Sequence, residues 1–473
     1  MKNVQRLIDS LQDAAKLLLD LREERFAFLT HYDADGLSSG GIMLRSAVRM
    51  NMDFCFRITA DLTRQDFQDF LRTSADVYLF TDLGTGHLDA VDAGIPDGKT
   101  ALILDHHQLQ HPPPERDEIV LVNPELHDID GGRDGCAAVL AALLAFFMTD
   151  DNDSYPLRLG VVGMVADMQK ADDGVNRFLL DLAEKEGTVK RRTDFAFFRL
   201  ANAPIHKALC WTDTPYIPDL SGREDTAVSL LSSQGISLRD GNRWRTVSEL
   251  TQEEKEQIVR VVVEHTASKG AKIRSSDFME TTYVFPDEAE SSLAVAHEFG
   301  SLLNACGRMR RAELGLLLAA GSRGEVLLEV SKLVEEKRAK VAAQLEEARK
   351  SFYVREGVMV VDGRRFIEEN FAGTVSTVLS KSPVHHGQVI LIFTETADGG
   401  LKVSSRAPVP LTDQGFNLGR ILSKVATKLG GEGGGHKMAA GATIPSENAE
   451  TAIEQITQVC VEELARIEAQ NAG

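Results

Sequence analysis

The feature that most constrains the fold is the alternation of short apolar runs with longer helical stretches along the first 170 residues. Each run is bounded by turn or polar residues. The runs are Phe26–His31, Phe54–Thr59, Val77–Asp82, Ala101–Asp105 and Ile119–Val122. Short apolar strands separated by helices are typical of βαβ units and a parallel sheet. This pattern predicts an α/β fold whose N-terminal part is a doubly wound parallel sheet.

The rest of the chain divides into regions of different pattern. The segment 181–290 is irregular and predicts a helical insert or connector, and 291–350 predicts a helical linker. Residues 351–473 again alternate strands and helices, which predicts a smaller C-terminal α/β domain. With residues 1–180 as the first domain, this organisation fits 473 residues at roughly 150 residues per domain.

Charge and composition exclude several functional classes. The net charge of −19 argues against a protein that coats nucleic acid through a broad basic face. No stretch approaches the roughly 20 apolar residues that span a bilayer, and the N-terminus lacks a signal-peptide pattern. The five cysteines are far apart, which favours reduced thiols. We therefore expect a cytoplasmic protein without a membrane partner.

Acidic and imidazole side chains follow three of the predicted strands. The first strand ends in the sequence HYDADG (31–36), the third in TDLG (81–84), and the fourth continues into the histidines of LDHHQ (104–108). Ligands of open parallel sheets bind at the carboxyl ends of the strands, so these groups are expected to meet at one edge. Asp167, near the end of a predicted apolar helix, is a further candidate.

Such a concentration of carboxylates indicates a cation site. Asp33, Asp35, Asp82, Asp105 and Asp167 cannot all ionise close together unless a cation compensates their charge. Oxygen ligands with one or two imidazoles suit Mn²⁺ or Mg²⁺, and two such ions are a common device for hydrolysing phosphate esters. The alternative for any single Asp after a strand is a helix N-cap.

These motifs carry a family resemblance. The segments HYDADG, TDLG, LDHHQ and VADMQ (165–169) resemble the four motifs of the DHH phosphoesterase superfamily. LGGEGGGHKMAAG (429–441) resembles the signature of the DHHA1 domain, while NACGR (304–308) and SSR (404–406) resemble further RecJ-type elements. Among family members, the chain is similar to the archaeal RecJ-like nucleases that associate with the GINS replication complex.

The resemblance implies a set of site residues. It assigns metal ligands to Asp33, Asp35, Asp82, His106 and Asp167, with His31 as a further candidate. The resemblance also implies that Asp82 bridges the ions, that Asp105 is a ligand or orients one, and that His107 contacts the scissile phosphate. The implied cofactors are two divalent ions, with Mn²⁺ preferred and Mg²⁺ accepted.

A second set of residues is expected to bind the substrate. It comprises Arg308, Ser404, Arg406, Gly434, Gly435 and His436. Glycines allow backbone N–H groups to approach an anion closely, and arginine binds phosphate in a bidentate manner. The alternatives are a flexible glycine-rich loop and, for Arg308, a solvated surface side chain.

The resemblance implies a single-strand-specific exonuclease in DNA replication and repair that uses two-metal-activated water. Its expected substrate is single-stranded DNA, degraded 5′ to 3′, with RNA as an alternative, and its expected partner is a GINS-type complex. One alternative is a phosphoesterase for short oligonucleotides, 3′-phosphoadenosine phosphate or cyclic dinucleotides. Another is a replisome scaffold related to the eukaryotic helicase cofactor of this superfamily. The sequence leaves the oligomeric state open.

Overall fold

The computed structural model describes residues 2–59, 64–109, 112–149, 153–198, 202–212, 216–270, 274–288, 291–382, 385 and 387–472. The chain divides into two compact units, which we treat separately. Unit 1 comprises Met1–Thr193 and Thr281–Glu335, and unit 2 comprises Asp194–Glu280 and Glu336–Gly473.

The N-terminal region of unit 1 alternates strands and helices as the sequence predicts. Its elements are α1 (Lys2–Asp20), β1 (Arg25–His31), α2 (Ala34–Arg49), β2 (Asp53–Thr59), α3 (Arg64–Leu71), β3 (Val77–Thr81), α4 (Leu88–Gly94), β4 (Thr100–Leu104), β5 (Ile119–Val122), α5 (Ala137–Met148), α6 (Tyr155–Ala166) and α7 (Gly174–Lys185). The five strands form one parallel sheet in the order β2-β1-β3-β4-β5.

Helices cover both faces of this sheet, which confirms the doubly wound prediction. Phe28 and Leu102 pack on the face that is covered by α1, α2, α5 and α6. Ala27 and Ile103, their neighbours along the strands, pack on the opposite face with α3 and α4. Ten of the twelve residues of α5 are buried, as expected of a helix that is apolar on every side.

The start of α2 is the clearest departure from the sequence-based helix boundaries. The sequence predicts a helix from Gly40, whereas α2 begins at Ala34. Glycine has a poor helix propensity, so the sequence does not indicate that this first turn is helical. The glycines are required by packing, because a Cβ on Gly36 would lie 2.4 Å from His31 O and a Cβ on Gly41 would lie 2.4 Å from the Ala319 Cβ.

The middle of the chain is mostly helical, as expected, with short strand pairs. Its elements are β6 (Lys190–Phe195), α8 (Ile205–Cys210), α9 (Glu224–Ser233), β7 (Arg239–Asp240), β8 (Arg243–Trp244), α10 (Gln252–Ser268), β9 (Met279–Val284), α11 (Ala296–Arg308), α12 (Ala312–Ala319) and α13 (Glu325–Ser351). β6 pairs with β9, and β7 pairs with β8. All five cysteines are free thiols, and four of them are buried.

The C-terminal region is built on a mixed six-stranded sheet. Its elements are β10 (Tyr353–Arg355), β11 (Val358–Asp362), α14 (Ala372–Ser380), β12 (Val389–Glu395), β13 (Leu401–Arg406), α15 (Val409–Asp413), α16 (Leu418–Lys428), β14 (Glu432–Gly435), β15 (Ala439–Ile444) and α17 (Ala449–Ala472). The strand order is β10-β11-β12-β13-β15-β14, so β14 is an edge strand. This confirms the predicted C-terminal α/β domain.

Candidate metal centre

The predicted ligands of unit 1 lie at the point where the strand order of the parallel sheet reverses. β1 is hydrogen-bonded to β2 on one side and to β3 on the other. The crossover connections therefore diverge between β1 and β3, and such a switch point opens a crevice at the carboxyl ends of the strands. His31 ends β1, Asp82 directly follows β3, and His106 lies two residues beyond β4.

Asp82 is the centre of this cluster. Its Oδ2 lies 3.3 Å from His31 Nδ1, and its Oδ1 lies 3.3 Å from His106 Nε2. Its side chain is almost completely buried, and its backbone is left-handed, with φ 62°. Residues in this unfavourable backbone region are concentrated at functional sites. Asp82 thus belongs to both groups of side chains that could hold an ion.

Two buried polar atoms of the cluster suggest that a cation belongs there. Among the described residues, neither His31 Nδ1 nor Asp82 Oδ2 makes a hydrogen bond of good geometry, although the two atoms face each other. Buried polar atoms are nearly always satisfied, so an unsatisfied pair of ligand atoms 3.3 Å apart requires an explanation. Carboxylate oxygens and imidazole nitrogens are ligands that Mn²⁺ accepts. The residues therefore fit the expected metal.

His106 is held in one orientation by its other ring nitrogen. Its Nδ1 lies 2.8 Å from Gly131 O, and because a carbonyl only accepts, Nδ1 must carry a proton. Nε2, the candidate ligand atom, lies 3.7 Å from Asp35 Oδ2 in addition to its contact with Asp82. This arrangement is typical of metal-binding histidines, whose second nitrogen donates to a fixed acceptor.

Asp33 and Asp35 stabilise helices as well as belonging to the cluster. Asp33 is the N-cap of α2 and accepts from Gly36 N at 3.0 Å through Oδ1. Its Oδ2 lies 3.3 Å from His31 Nδ1, so the N-cap role leaves one oxygen for the cluster. Asp35 accepts from Ala137 N at 2.8 Å and Ala138 N at 2.9 Å, at the N-terminus of α5. There the helix dipole favours a negative charge.

Asp167 completes the set at the C-terminus of α6. Its Oδ2 lies 3.9 Å from His106 Nδ1. Burial, together with the negative charges of Asp82 and Asp33, raises the pKa of Asp167 to about 6. Burial and the charge of Asp82 likewise raise the pKa of Asp35 well above its usual range. Both shifts arise from burial first and from the neighbouring carboxylates second, and a divalent cation would relieve the repulsion between these carboxylates.

Asp105 supports the histidines that follow it. It is buried, and its Oδ1 accepts from His106 N at 2.8 Å and lies 2.7 Å from His107 Nδ1. Its Oδ2 accepts from Thr85 N at 2.9 Å. Asp105 therefore fixes the turn and the ring of His107, whose side chain is 46% exposed and accessible to a substrate.

We expect Asp105→Asn to lower kcat about 10- to 100-fold, the usual range for residues that orient metal ligands. The amide has one acceptor oxygen where the carboxylate has two, so it cannot hold both the His107 ring and Thr85 N. Steady-state hydrolysis of single-stranded DNA, the substrate expected from the sequence, measures the effect. The exposed Asp117→Asn is the matched control, and equal activity of the two variants would contradict this role.

Arg308 lies beside the cluster in unit 1. Its Nη1 donates to the Tyr32 hydroxyl at 2.6 Å, and its guanidinium lies 5.4 Å from the Tyr32 ring centroid. The Tyr32 ring in turn contacts His31 at 4.7 Å between centroids. Asn304, one turn earlier on α11, accepts from Ala34 N at 3.1 Å. α11 therefore packs on the turn that carries His31 and Asp33, and Arg308 is not a solvated surface side chain.

The other predicted substrate-binding residues lie on neighbouring strands of unit 2. Ser404 on β13 pairs with Gly441 on β15, which pairs with Gly434 on β14. Directly opposed residues share one face of an antiparallel sheet, so these three form a row. Arg406 ends β13, and His436 directly follows β14 and donates its N–H to Ala439 O.

The glycine run 433–435 is a strand instead of a flexible loop, and two of its members have a packing reason. A Cβ on Gly433 would lie 2.9 Å from Leu422 O on α16, and a Cβ on Gly435, whose φ is +127°, would lie 2.7 Å from Ala439 O. Gly434 differs, because a Cβ there would meet no described atom within 4 Å. Packing therefore does not explain a glycine at position 434, at the open end of the row.

Several residues that contact the cluster were not predicted from the sequence. Gln169 donates to Asp167 Oδ2 at 2.9 Å, and Tyr32 and Asn304 contact the turn after β1. Gln169 and Asn304 lie inside the quoted motifs VADMQ and NACGR, so their positions were a usable signal.

The fold and the cluster define an α/β protein with a buried carboxylate and imidazole centre at a sheet switch point. Two family models match parts of unit 2. The DHHA1 domain matches residues 359–462, and the DHH-CID domain matches residues 198–279. Within the described part of the chain, no helix is long and apolar enough to cross a membrane.

Comparison with known proteins agrees with these matches. The uncharacterised protein MJ0831 of Methanocaldococcus jannaschii is 25% identical over 456 residues, which cover 93% of this chain and 94% of that protein. RecJ from Thermus thermophilus in complex with Mn²⁺ has a TM-score of 0.60 at 18% identity. The alignment covers 96% of this chain and 55% of that RecJ, so the chain spans about half its length.

Two further structures share the fold along nearly their whole length. The exonuclease RecJ bound to manganese has a TM-score of 0.56 at 18% identity, covering 95% of this chain and 94% of RecJ. CDC45 from Entamoeba histolytica has a TM-score of 0.61 at 11% identity, covering 98% and 99%. The chain thus contains segments that match the DHHA1 and DHH-CID domains, and it shares its fold with the RecJ and CDC45 structures.

Proposed function

We propose that this chain is a metal-dependent phosphodiesterase that acts as a single-strand-specific exonuclease on DNA, in the 5′ to 3′ direction. The observation that carries the proposal is the position of Asp82 between two groups of ligand side chains, each of which also contains a histidine. A carboxylate shared by two groups is what a pair of bridged divalent ions requires. The RecJ structures, one of which is named an exonuclease bound to manganese, support this substrate class.

Two divalent ions, Mn²⁺ in preference to Mg²⁺, would be held by the cluster at the switch point. The proposed ligands are His31, Asp33, Asp35, Asp82, His106 and Asp167. When bound, the ions would lower the pKa of a water and stabilise negative charge on the phosphoryl oxygens. The protein fixes the orientation of three of these ligands, because Asp33 is held at the N-cap of α2, Asp35 at the N-terminus of α5 and His106 by the Gly131 carbonyl.

The remaining residues would act on the nucleic acid. His107, whose Nδ1 donates to Asp105, would donate a hydrogen bond to the scissile phosphate through Nε2 when the ring is protonated. Arg308 would contact the phosphates near the centre. In unit 2, Ser404, Arg406, His436 and the backbone at Gly434 and Gly435 would bind the strand. These proposed contacts need only a few residues and no broad basic surface, which suits a chain of net charge −19.

Digestion of end-labelled oligonucleotides tests the proposal. We expect 5′- and 3′-labelled single-stranded DNA to be degraded with Mn²⁺, more slowly with Mg²⁺, and not at all with EDTA. The order in which label is released gives the polarity, and matched RNA and duplex substrates give the specificity. Activity confined to dinucleotides or 3′-phosphoadenosine phosphate would instead support the short-substrate alternative.

A second candidate function is a replication protein that binds a GINS-type complex. The similarity in fold to CDC45 over 98% of this chain favours this function. The DHH-CID domain, at residues 198–279, lies outside the DHHA1 domain and is the part of unit 2 that we propose for the partner. The two functions are compatible in one chain. Affinity purification from the native source tests the partnership, and recovery without replication proteins would count against it.

A further inference from the structure

We infer that Gln169, Asn176 and the Gly131 carbonyl, which we call the Gln169 network, position His106 and Asp167 for metal binding. The inference rests on the proposed metal site and adds residues that touch neither ion nor substrate. Gln169 and Asn176 are buried, with 7% and 0% of their surfaces exposed. Their hydrogen bonds connect two predicted ligands that lie far apart in the sequence.

The side chain of Gln169 makes four hydrogen bonds to described residues, and together they use both ends of its amide. Its Nε2 donates to Asp167 Oδ2 at 2.9 Å and to Gly131 O at 2.8 Å. Its Oε1 accepts from Cys136 N at 3.0 Å and from Asn176 Nδ2 at 3.0 Å. The reversed amide would place an oxygen against two acceptors and an NH₂ group against two donors, so only one orientation is compatible.

Asn176 holds the amide of Gln169 in this orientation. Its Nδ2 donates to Lys170 O at 3.0 Å as well as to Gln169 Oε1, and its Oδ1 accepts from Gly135 N at 3.0 Å. Asn176 thus ties the loop that carries Gly131, at Gly135, to the segment after α6 that carries Gln169, at Lys170. Satisfied buried polar networks are rigid, since breaking any bond leaves an unpaired group in a low dielectric.

The Gly131 carbonyl is the point where the network reaches the histidine ligand. It accepts from His106 Nδ1 and from Gln169 Nε2, each at 2.8 Å. The approach is close enough to require glycine, because a Cβ on Gly131 would lie 2.0 Å from His106 O. By fixing this carbonyl, Gln169 fixes the proton on Nδ1 and leaves Nε2 as the atom that coordinates.

One side chain therefore holds two predicted ligands, His106 through a shared acceptor and Asp167 directly. Without it, Asp167 loses the donor that orients its Oδ2, and the Gly131 carbonyl loses one of its two donors. The ligands would then have to be ordered when the metal binds, which weakens binding. Loss of partners that orient metal ligands typically lowers metal affinity about 10- to 100-fold.

The test is a titration of the Gln169→Met variant with Mn²⁺, in which the electron paramagnetic resonance signal measures the concentration of free ion. Methionine fills a similar volume without hydrogen bonds. We expect the Kd for Mn²⁺ to rise at least about tenfold. Tyr78→Phe is the control, because it removes the hydroxyl that donates to Leu71 O and Thr73 O in the same unit, at the opposite end of the sheet from the cluster. The control should bind Mn²⁺ as the unmodified chain does.

Each outcome decides between distinct conclusions. An unmodified chain that binds no Mn²⁺ would overturn the proposed metal site itself. If the unmodified chain binds Mn²⁺ and a folded Gln169→Met variant binds it with equal affinity, the positioning role alone would be overturned. If circular dichroism shows Gln169→Met to be unfolded, Asn176→Ala decides, because it retains Gln169 but removes one of its donors. Mn²⁺ affinity equal to that of the unmodified chain in that variant would also contradict the inference.

Discussion

Asp82→Ala should abolish cleavage of single-stranded DNA, with a loss greater than the roughly 100-fold typical of residues that only orient metal ligands. Asp82 is the one described residue that both ligand groups share, so its removal affects both proposed ion positions. It also leaves His31 and His106 without their common carboxylate. Initial rates at saturating Mn²⁺, together with the number of Mn²⁺ ions bound per chain, measure the effect.

The matched control for this variant is Asp117→Ala, which removes an exposed carboxylate in the same unit. It should retain full activity and the same number of bound ions. Because the backbone of Asp82 is left-handed, Asp82→Gly is a useful companion, since glycine adopts φ 62° without strain. Rapid turnover in a folded Asp82→Ala or Asp82→Gly variant would exclude the proposed centre.

Gly434→Val should raise the KM for single-stranded DNA about 10- to 100-fold with little change in thermal stability. The magnitude corresponds to the roughly 1.5–3 kcal/mol of a hydrogen bond to a charged group. Position 434 has open space where a Cβ would be placed, and valine is favourable in strands, so the fold should tolerate it. A branched side chain there would hold a phosphate away from the edge strand. Steady-state kinetics and a melting curve separate the two effects.

Gly433→Val is the contrasting control for that prediction. Its Cβ would lie 2.9 Å from Leu422 O and 3.0 Å from the Ala442 Cβ, so we expect a clear fall in melting temperature. Unchanged KM in a stable Gly434→Val variant would mean that the nucleic acid does not approach β14, and the substrate-binding proposal for this strand would be wrong.

The sheet of unit 1 and the location of its acidic residues were predictable because two physical rules coincide. Buried parallel strands appear as short apolar runs, and their carboxyl ends share one edge, so Asp82 and His106 had to be close. The boundaries of α2 were less predictable. Its glycines lower the helix propensity of the segment, but close packing against Thr30 and Ala319 requires them.

Other features depended on contacts that the sequence pattern does not report. The Gln169 network uses the backbone carbonyl of Gly131, and carbonyl positions in loops leave no sequence signature. The middle of the chain, by contrast, held an unused signal. Thr251 and Glu254 form a capping box at the start of α10, a spacing that can be recognised in the sequence.

The hydrogen bonds between Asp35 and the first turn of α5 join the centre to the most apolar helix of unit 1. Ion occupancy and the folding equilibrium are therefore thermodynamically coupled, because whatever binds only the native state stabilises it. A chain depleted of cations would keep mutually repelling carboxylates attached to its interior. For the proposed manganese centre, starvation for the metal would then shorten the lifetime of the protein in the cell as well as stop the proposed hydrolysis.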